Sequence, residues 1–280
     1  MALVALVILG SFAIISLATF RGEDTTPQDS VAKPQVKKQK PQSAKADTLR
    51  KAKVMGSIPD YDPTVRGTLT DSLGNPMTGV VVSDGYSCTV TNDKGMYIFM
   101  RDKNARFVWY SVPADCEIPT HSATDRTAFF YKPLLKKRNE YNFTLKRLPG
   151  GPEHDYKLIV FGDPQITNAF SPYYTGPNDN PIQKSDLARF TDETMTDVRQ
   201  TIASLPASMP VYAISMGDDV QYYGGYNASL ERQIREALGS SRATVFSVIG
   251  NHDQDGKSLY VKKWEQSFGP TDFSFDRGDV

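Results

Sequence analysis

Three short apolar runs in the second half of the chain each end abruptly in polar residue types that bind metals, and this layout constrains the fold most. Runs of about five β-branched or aromatic residues, apolar on both faces, are typical of buried parallel strands. A glycine before each polar end lets the backbone turn sharply, and in open α/β sheets the chemistry lies where such strands end. The pattern therefore predicts one crevice at three neighbouring strand ends, formed by residues 158–165, 211–218 and 245–253.

Two amphipathic helices are predicted between these runs, because mainly apolar residues recur there every three or four positions. The first helix follows Ser185, a residue type that caps helix N-termini. Strand, helix, strand, helix, strand is the right-handed crossover unit of a parallel sheet. The recurring positions are Leu187, Phe190, Thr194, Val198, Ile202 and Leu205 in the first helix and Leu230, Ile234 and Leu238 in the second.

Three motifs follow the strand ends in order: Asp-x-Gln at 163–165, Gly-Asp at 217–218 and Gly-Asn-His-Asp at 250–253. Each motif is weak alone. Together they resemble the calcineurin-like metallophosphoesterase family, in which Asp-x-His, Gly-Asp and Gly-Asn-His-Asp/Glu precede two later histidine-bearing motifs. The resemblance covers residues 155–280 and implies the first part of an α/β metallophosphoesterase sandwich, its βαβαβ half.

The resemblance also implies a site for two divalent cations that share a hydroxide, which attacks phosphorus in line. Asp218 would bridge the two ions, Asp163 and Gln165 would bind the first, and Asn251 would bind the second through its amide oxygen. His252 would lie beside the ions and neutralise charge on the phosphoryl group or protonate the leaving oxygen. The implied reaction is hydrolysis of a phosphate mono- or diester, with a small phosphoester as substrate.

Gln165 stands where the family usually has a histidine. A neutral oxygen donor suits a hard cation, so Mn²⁺ is the favoured cofactor, with Fe, Zn and Mg as alternatives. Some family members share the Asp-x-Gln opening, so the exchange does not imply loss of activity. Two nearby acids have alternative roles: Asp253 is expected to cap a helix or form a salt bridge rather than orient His252, and Asp219 is expected to be a solvated loop carboxylate rather than that orienting acid.

No histidine follows His252 in the chain, whereas the family takes its remaining ligands from later motifs. We therefore expect that a longer parent sequence is the enzyme, and that the 280-residue chain binds metal weakly and turns over poorly. The alternative is a non-catalytic cell-surface binding or scaffold protein with a degenerate phosphoesterase domain.

Residues 63–148 show short alternating strands separated by turn signals at 71–76 and 92–95, which predicts an all-β sandwich. Their order resembles the carboxypeptidase regulatory-like or transthyretin-like sandwich that some secreted bacterial phosphoesterases carry. The predicted fold class is therefore α+β with two domains. Cys88 and Cys116 both lie in this region, and a disulfide and two free thiols remain equal alternatives.

Residues 1–20 are almost wholly apolar and predict a signal peptide or a membrane anchor, so membrane contact through residues 2–20 is an alternative. Residues 21–62, rich in Lys, Gln, Pro, Ser and Thr, predict a disordered linker. We expect export to the periplasm or cell exterior, although basic residues after the apolar stretch favour the opposite orientation. The 32 basic and 32 acidic side chains cancel, which argues against a nucleic-acid partner. The oligomeric state is not predicted.

Overall fold

A computed structural model describes residues 63–167, 185–222 and 225–279, together with the backbone of strand β1 (Ile14–Phe20). The predicted linker at 21–62 and residues 1–13 lie outside the described residues. The described part comprises an N-terminal unit, residues 63–148, and a C-terminal unit, residues 155–279. Several sheets and a few helices make up these units, so the predicted α+β class is confirmed.

The N-terminal unit is built from short strands in two sheets. Its strands are β2 (Thr64–Asp71), β3 (Val81–Ser83), β4 (Cys88–Val90), β5 (Met96–Met100), β6 (Phe107–Tyr110), β7 (Tyr131–Pro133) and β8 (Phe143–Leu145). One sheet has the order β5-β2-β8 and the other the order β4-β3-β6-β7. Buried and more exposed residues alternate along β2, as in a strand with one face on a core.

Side chains from both sheets meet in one hydrophobic cluster. Leu69 of β2, Val82 of β3 and Val108 of β6 have no exposed surface. Cys116 is buried in the same cluster, whereas Cys88 is exposed, and both are free thiols. Desolvation by burial raises the pKa of the Cys116 thiol to about 12, so this sulfur stays protonated at neutral pH.

The C-terminal unit alternates strands with helices. Its elements are β9 (Tyr156–Gly162), α1 (Asp186–Arg189), a π-helical turn (Phe190–Thr194), α2 (Met195–Ala203), β10 (Val211–Ser215), α3 (Ala228–Gly239), β11 (Thr244–Ser247), α4 (Asn251–Gln254) and α5 (Ser258–Phe268). Strands β9, β10 and β11 are parallel neighbours in that order. The Ser185 hydroxyl accepts a hydrogen bond from Ala188 N, which confirms the predicted helix cap. This arrangement is compatible with part of a phosphoesterase α/β fold.

The free side of β9 is occupied by β1, which pairs with it in antiparallel orientation from Ile14–Gly162 to Phe20–Tyr156. We had expected residues 1–20 to lie outside the folded units. The difference has a physical reason, because an apolar run containing isoleucine, threonine and phenylalanine is also suited to a strand and satisfies the open edge of the sheet. No helix of the described residues is long and apolar enough to cross a membrane.

One of the two hydrophobic clusters of the described residues contains side chains of both units, while the other lies within the C-terminal unit. The N-terminal unit also covers the outer edge of β11. Ala128 N donates to Val245 O at 2.8 Å, and Val245 N donates to Arg126 O at 3.0 Å. Next to this pairing, the rings of Phe130 and Phe246 lie 5.7 Å apart between their centroids. The backbone of residues 126–128 therefore protects an edge that would otherwise expose unpaired hydrogen-bonding groups.

Two arginines add polar contacts across this junction. Arg106, just before β6, donates twice to the carboxylate of Glu265 in α5, whose side chain is 4 % exposed. Arg277 is buried, donates to Cys116 O at 2.7 Å and stacks its guanidinium 5.0 Å from the centre of the Tyr212 ring. The hydrogen bonds from Arg106 to Glu265 and from Arg277 to Cys116 O add charge-assisted contacts to the hydrophobic contact between the units.

We expect Phe246→Ala to destabilise both units together. Phe246 is 1 % exposed and lies in the shared core, so truncation should lower the free energy of unfolding by about 3–5 kcal/mol. Urea unfolding can be followed separately in each unit, because the two tryptophans of the chain, Trp109 and Trp264, lie in different units. Two Phe246→Ala proteins, one keeping only Trp109 and the other only Trp264, should unfold at the same lowered urea concentration.

Leu135→Ala is the matched control, because Leu135 is 52 % exposed and its truncation should change stability little. Separate midpoints for the Trp109 and Trp264 reporters in the Phe246→Ala protein would show that the units are independent.

Candidate functional site

The parallel strands of the C-terminal unit end side by side. Phe161 in β9 pairs with Ser215 in β10, which in turn pairs with Ser247 in β11. Just beyond these residues, Met216 N donates to Phe161 O and Val248 N donates to Ser215 O, both at 2.9 Å. The predicted neighbourhood of the strands is confirmed, and the segments with the candidate ligands leave the sheet at one edge.

Asp218 joins the segments on both sides of it. Its carbonyl oxygen accepts from Gln165 N at 2.7 Å, and its side-chain Oδ1 accepts from His252 N at 2.8 Å. Asp218 therefore lies between the loop that carries Asp163 and Gln165 and the turn that carries Asn251 and His252. Its side chain is half-buried, while Asp163 and Asn251 are exposed.

The buried side chain of Asp253 fastens these segments together. Asp253 Oδ2 accepts from Gly250 N at 2.8 Å and from Asp218 N at 2.9 Å, and its Oδ1 accepts from Val220 N at 3.0 Å. The bond to Gly250 caps helix α4, as expected. The other two bonds hold the loop after β10, so Asp253 positions the backbone of Asp218 rather than the imidazole of His252.

Backbone strain concentrates at three of the candidate ligands. Asp163, Gln165 and Asp218 have φ angles of 52°, 42° and 52°, in the left-handed region that side chains other than glycine rarely adopt. Among the described residues, Arg242 and Asp255 are the other non-glycine residues with positive φ. Such strain persists where the surrounding structure enforces it and collects at functional sites.

Two glycines permit the close approach of the loops. A Cβ on Gly250 would lie 2.0 Å from Asp218 Oδ1 and 2.2 Å from Asp218 N, and one on Gly217 would lie 2.6 Å from Gly250 N. Gly162, which precedes Asp163, has no atom within 4 Å of the position of a Cβ. Close packing therefore requires glycine after β10 and β11, but not after β9.

Gly250→Ala is expected to lower the free energy of unfolding by about 2 kcal/mol or more, because the added methyl group overlaps backbone and carboxylate atoms of Asp218. Gly162→Ala is the matched control and should be nearly neutral. Urea unfolding in the presence of a metal chelator measures the stability of the protein alone. Equal stability of the two variants would contradict the close approach of Gly250 to Asp218.

Asp219 is buried, which corrects the expectation of a solvated carboxylate. It is 1 % exposed, and the Ser215 hydroxyl donates to its Oδ1. Its Oδ2 has no hydrogen-bond partner among the described residues. Desolvation by burial, reinforced by the nearby carboxylate of Asp253, raises the pKa of Asp219 to about 8. Its surroundings are tertiary, because Ser215 of β10 and the carboxylates of Asp253 in α4 and Glu231 in α3 lie near it.

Asp219→Asn is expected to flatten the pH dependence of stability. The pKa of Asp219 is about 8 in the folded chain, whereas an unfolded aspartate has a pKa of about 4. Between these values the folded state holds a proton that the unfolded state has lost, so the free energy of unfolding falls as the pH rises through this range. The asparagine variant should lack that decrease.

Urea unfolding at a series of pH values, with a chelator present, tests this expectation. A smaller slope at lower pH should remain in the variant, because burial also raises the pKa of Asp253, to about 6. Parallel pH profiles of the two proteins would contradict the raised pKa of Asp219.

A buried glutamate on α3 was not predicted from the sequence. Glu231 is 1 % exposed and accepts from the hydroxyls of Tyr222 at 2.9 Å, Tyr226 at 3.0 Å and Ser267. The rings of Tyr222 and Tyr226 pack 5.4 Å apart. These tyrosines thus anchor the segment after Asp218 to α3.

The donor types at the strand ends fit hard divalent cations. Asp163 and Asp218 offer carboxylate oxygens, and Gln165 and Asn251 offer amide oxygens, which suit Mg²⁺ or Mn²⁺ better than soft ions. No group of three or more His, Cys, Asp and Glu side chains is arranged to hold a metal among the residues that the structure describes. A site here would therefore depend on the amides as well as the carboxylates.

One comparison with known proteins gives a match. Residues 63–148 match the family model described as the N terminal of Calcineurin-like phosphoesterase. The match supports the calcineurin-like phosphoesterase family. Members of this family hydrolyse phosphoesters and generally use divalent metals, and this agrees with the motifs in the C-terminal unit. No curated protein and no solved structure matches the chain.

Proposed function

We propose that the chain carries the phosphoester hydrolase site of a calcineurin-like phosphoesterase, acting on a small phosphate mono- or diester. The observation that carries the proposal is the position of Asp218, which hydrogen bonds to the loop of Gln165 on one side and to the turn of His252 on the other. The family match to the N-terminal unit supports it independently, because that match lies outside the motif-bearing segments.

In this proposal Asp163 and Gln165 would hold one cation and Asn251 would hold the other, and Asp218, the central acid of the three segments, would be the ligand common to both. Cations bound there would supply the activated nucleophile and stabilise the charge that develops on phosphorus. His252, half-exposed at the start of α4, contacts the phosphoryl oxygens or gives a proton to the leaving group. The all-oxygen donor set favours Mn²⁺.

The arrangement around this site extends the proposal. The two sheets of the N-terminal unit, with side chains in a common cluster, support a regulatory-like β-sandwich. The shared core indicates that this sandwich holds the phosphoesterase unit in a fixed orientation. We also propose export, on the apolar composition of residues 1–20, with the segment that forms β1 kept in the folded chain.

Asp218→Asn tests the site directly. The assay is Mn²⁺-dependent hydrolysis of bis-p-nitrophenyl phosphate and p-nitrophenyl phosphate, with bound metal measured by elemental analysis. The variant should lose its bound metal and reduce any Mn²⁺-dependent rate by about 100-fold, the size typical of losing a group that stabilises transition-state charge. Removal of Mn²⁺ with a chelator should have the same effect on the parent chain.

Asp93→Asn is the matched control, because Asp93 is an exposed acid in a turn of the N-terminal unit. It should leave metal content and rate unchanged. A folded chain that binds no Mn²⁺ even at millimolar concentrations would contradict the proposal and favour the scaffold alternative, whereas a low rate alone is what the missing later histidines lead us to expect.

A further inference from the structure

Glu231 is a buried carboxylate to which the proposed reaction gives no role. It lies in the first turn of α3 and is 1 % exposed. Its Oε2 accepts a hydrogen bond from the Tyr222 hydroxyl at 2.9 Å. Its Oε1 accepts from the Tyr226 hydroxyl at 3.0 Å and from the Ser267 hydroxyl. One carboxylate thus joins three elements: the loop after β10, helix α3 and helix α5.

The hydroxyls compensate for the burial of this carboxylate. Burial of a carboxylate is unfavourable unless its oxygens are hydrogen bonded. The two arginines of α3 form ion pairs with other acids, Arg232 with Glu236 and Arg235 with Asp125. Because an ionised carboxylate only accepts hydrogen bonds, each hydroxyl around Glu231 must point towards it. The carboxylate therefore fixes the orientation of the side chains that donate to it.

Two of the three donors, Tyr222 and Tyr226, lie in the loop that follows Asp218. The backbone of Asp218 has a φ angle of 52°, a strained conformation that persists only where the surroundings enforce it. Gln221 N donates to Ile166 O at 3.0 Å, and Tyr222 comes directly after it. The bond from the Tyr222 hydroxyl to the carboxylate therefore holds the far end of a short segment that begins at Asp218.

Aromatic rings close this loop against α5. The Tyr260 hydroxyl accepts a hydrogen bond from Tyr226 N at 3.0 Å. The rings of Tyr222, Tyr226 and Tyr260 lie 5.4 to 5.7 Å apart between their centroids. Burial, reinforced by the Glu231 carboxylate, raises the pKa of Tyr222, so its hydroxyl keeps its proton and stays a donor at neutral pH.

We propose that Glu231 is a positioning residue for the phosphoester hydrolase site. Through the hydroxyls of Tyr222 and Tyr226 it holds the loop in the conformation that presents Asp218 to the cations, while its bond to Ser267 ties the carboxylate to α5. This inference rests on the proposed function and adds to it a residue that touches neither cation nor substrate. Residues that orient metal ligands typically change metal affinity roughly 10- to 100-fold when substituted. We expect about 10-fold here, because Glu231 acts through the loop.

Tyr222→Phe in the full chain tests this role, because it removes the hydroxyl and keeps the ring. Titration with Mn²⁺, with free Mn²⁺ measured by electron paramagnetic resonance, should give a Kd about 10-fold higher than that of the parent. Glu231→Gln should also raise the Kd, but by less in the Tyr222→Phe background than in the parent, because both changes remove the same hydrogen bond.

Tyr212→Phe is the matched control. Tyr212 is also buried, and its hydroxyl also donates to a glutamate, Glu153. Tyr212 lies near the start of β10 (Val211–Ser215), whereas the loop follows the end of this strand. Loss of this hydroxyl should leave the affinity for Mn²⁺ unchanged.

Hydrogen exchange of the metal-free full chain gives a measurement that does not depend on cation binding. Residues 216–222 should exchange about 10-fold faster in Tyr222→Phe than in the parent, because the loop opens locally once its far end is released. Exchange in α3 should not change. A carboxylate that only joined the two helices would instead affect α3 and α5 and leave the loop and the affinity for Mn²⁺ unchanged.

The outcomes separate this inference from the proposed function. An unchanged Kd or unchanged loop exchange in Tyr222→Phe, or an equal rise of the Kd in Tyr212→Phe, would overturn the positioning role and leave the proposed function standing. A parent chain that binds no Mn²⁺ even at millimolar concentrations would overturn the proposed function and the positioning role with it.

Discussion

The arrangement of the candidate site depends on one buried carboxylate. Asp253 accepts hydrogen bonds from three backbone N–H groups, two of them in the loop after β10 and one at the start of α4. Burial penalises the charged form and raises the pKa of Asp253, and the three N–H groups offset part of this rise. Because this carboxylate is buried, its hydrogen bonds to the loops are protected from competition with water. The backbone around Asp218 is therefore organised by the protein's own hydrogen bonds.

The parallel strands and the Ser185 cap could be predicted from sequence, because both depend on local pattern: apolar runs closed by glycine, and a hydroxyl before a periodic helix. The burial of Asp219 and of Glu231 could not be predicted from the sequence. An acid in a Gly-Asp-Asp turn or beside Leu230 on a helix resembles a solvated residue, and its burial depends on Ser215, Tyr222 and Ser267 from other elements.

Two separate stretches of the chain resemble the same family. The motifs lie between residues 163 and 253, while the family model matches residues 63–148. The structure connects them physically, since Phe246 packs on Phe130 and the buried end of Arg277 reaches the carbonyl of Cys116. The N-terminal unit thus shares a hydrophobic cluster with one face of the C-terminal sheet, rather than being an appended module.

The pairing of residues 126–128 with β11 also bears on how the chain is made. Residues 126–128 are synthesised before β11, so their backbone is available to pair with this strand as soon as it emerges from the ribosome. The two parts are consequently poor candidates for exchange between homologous proteins, because a grafted C-terminal unit would lose the backbone partner on which its final strand is laid down.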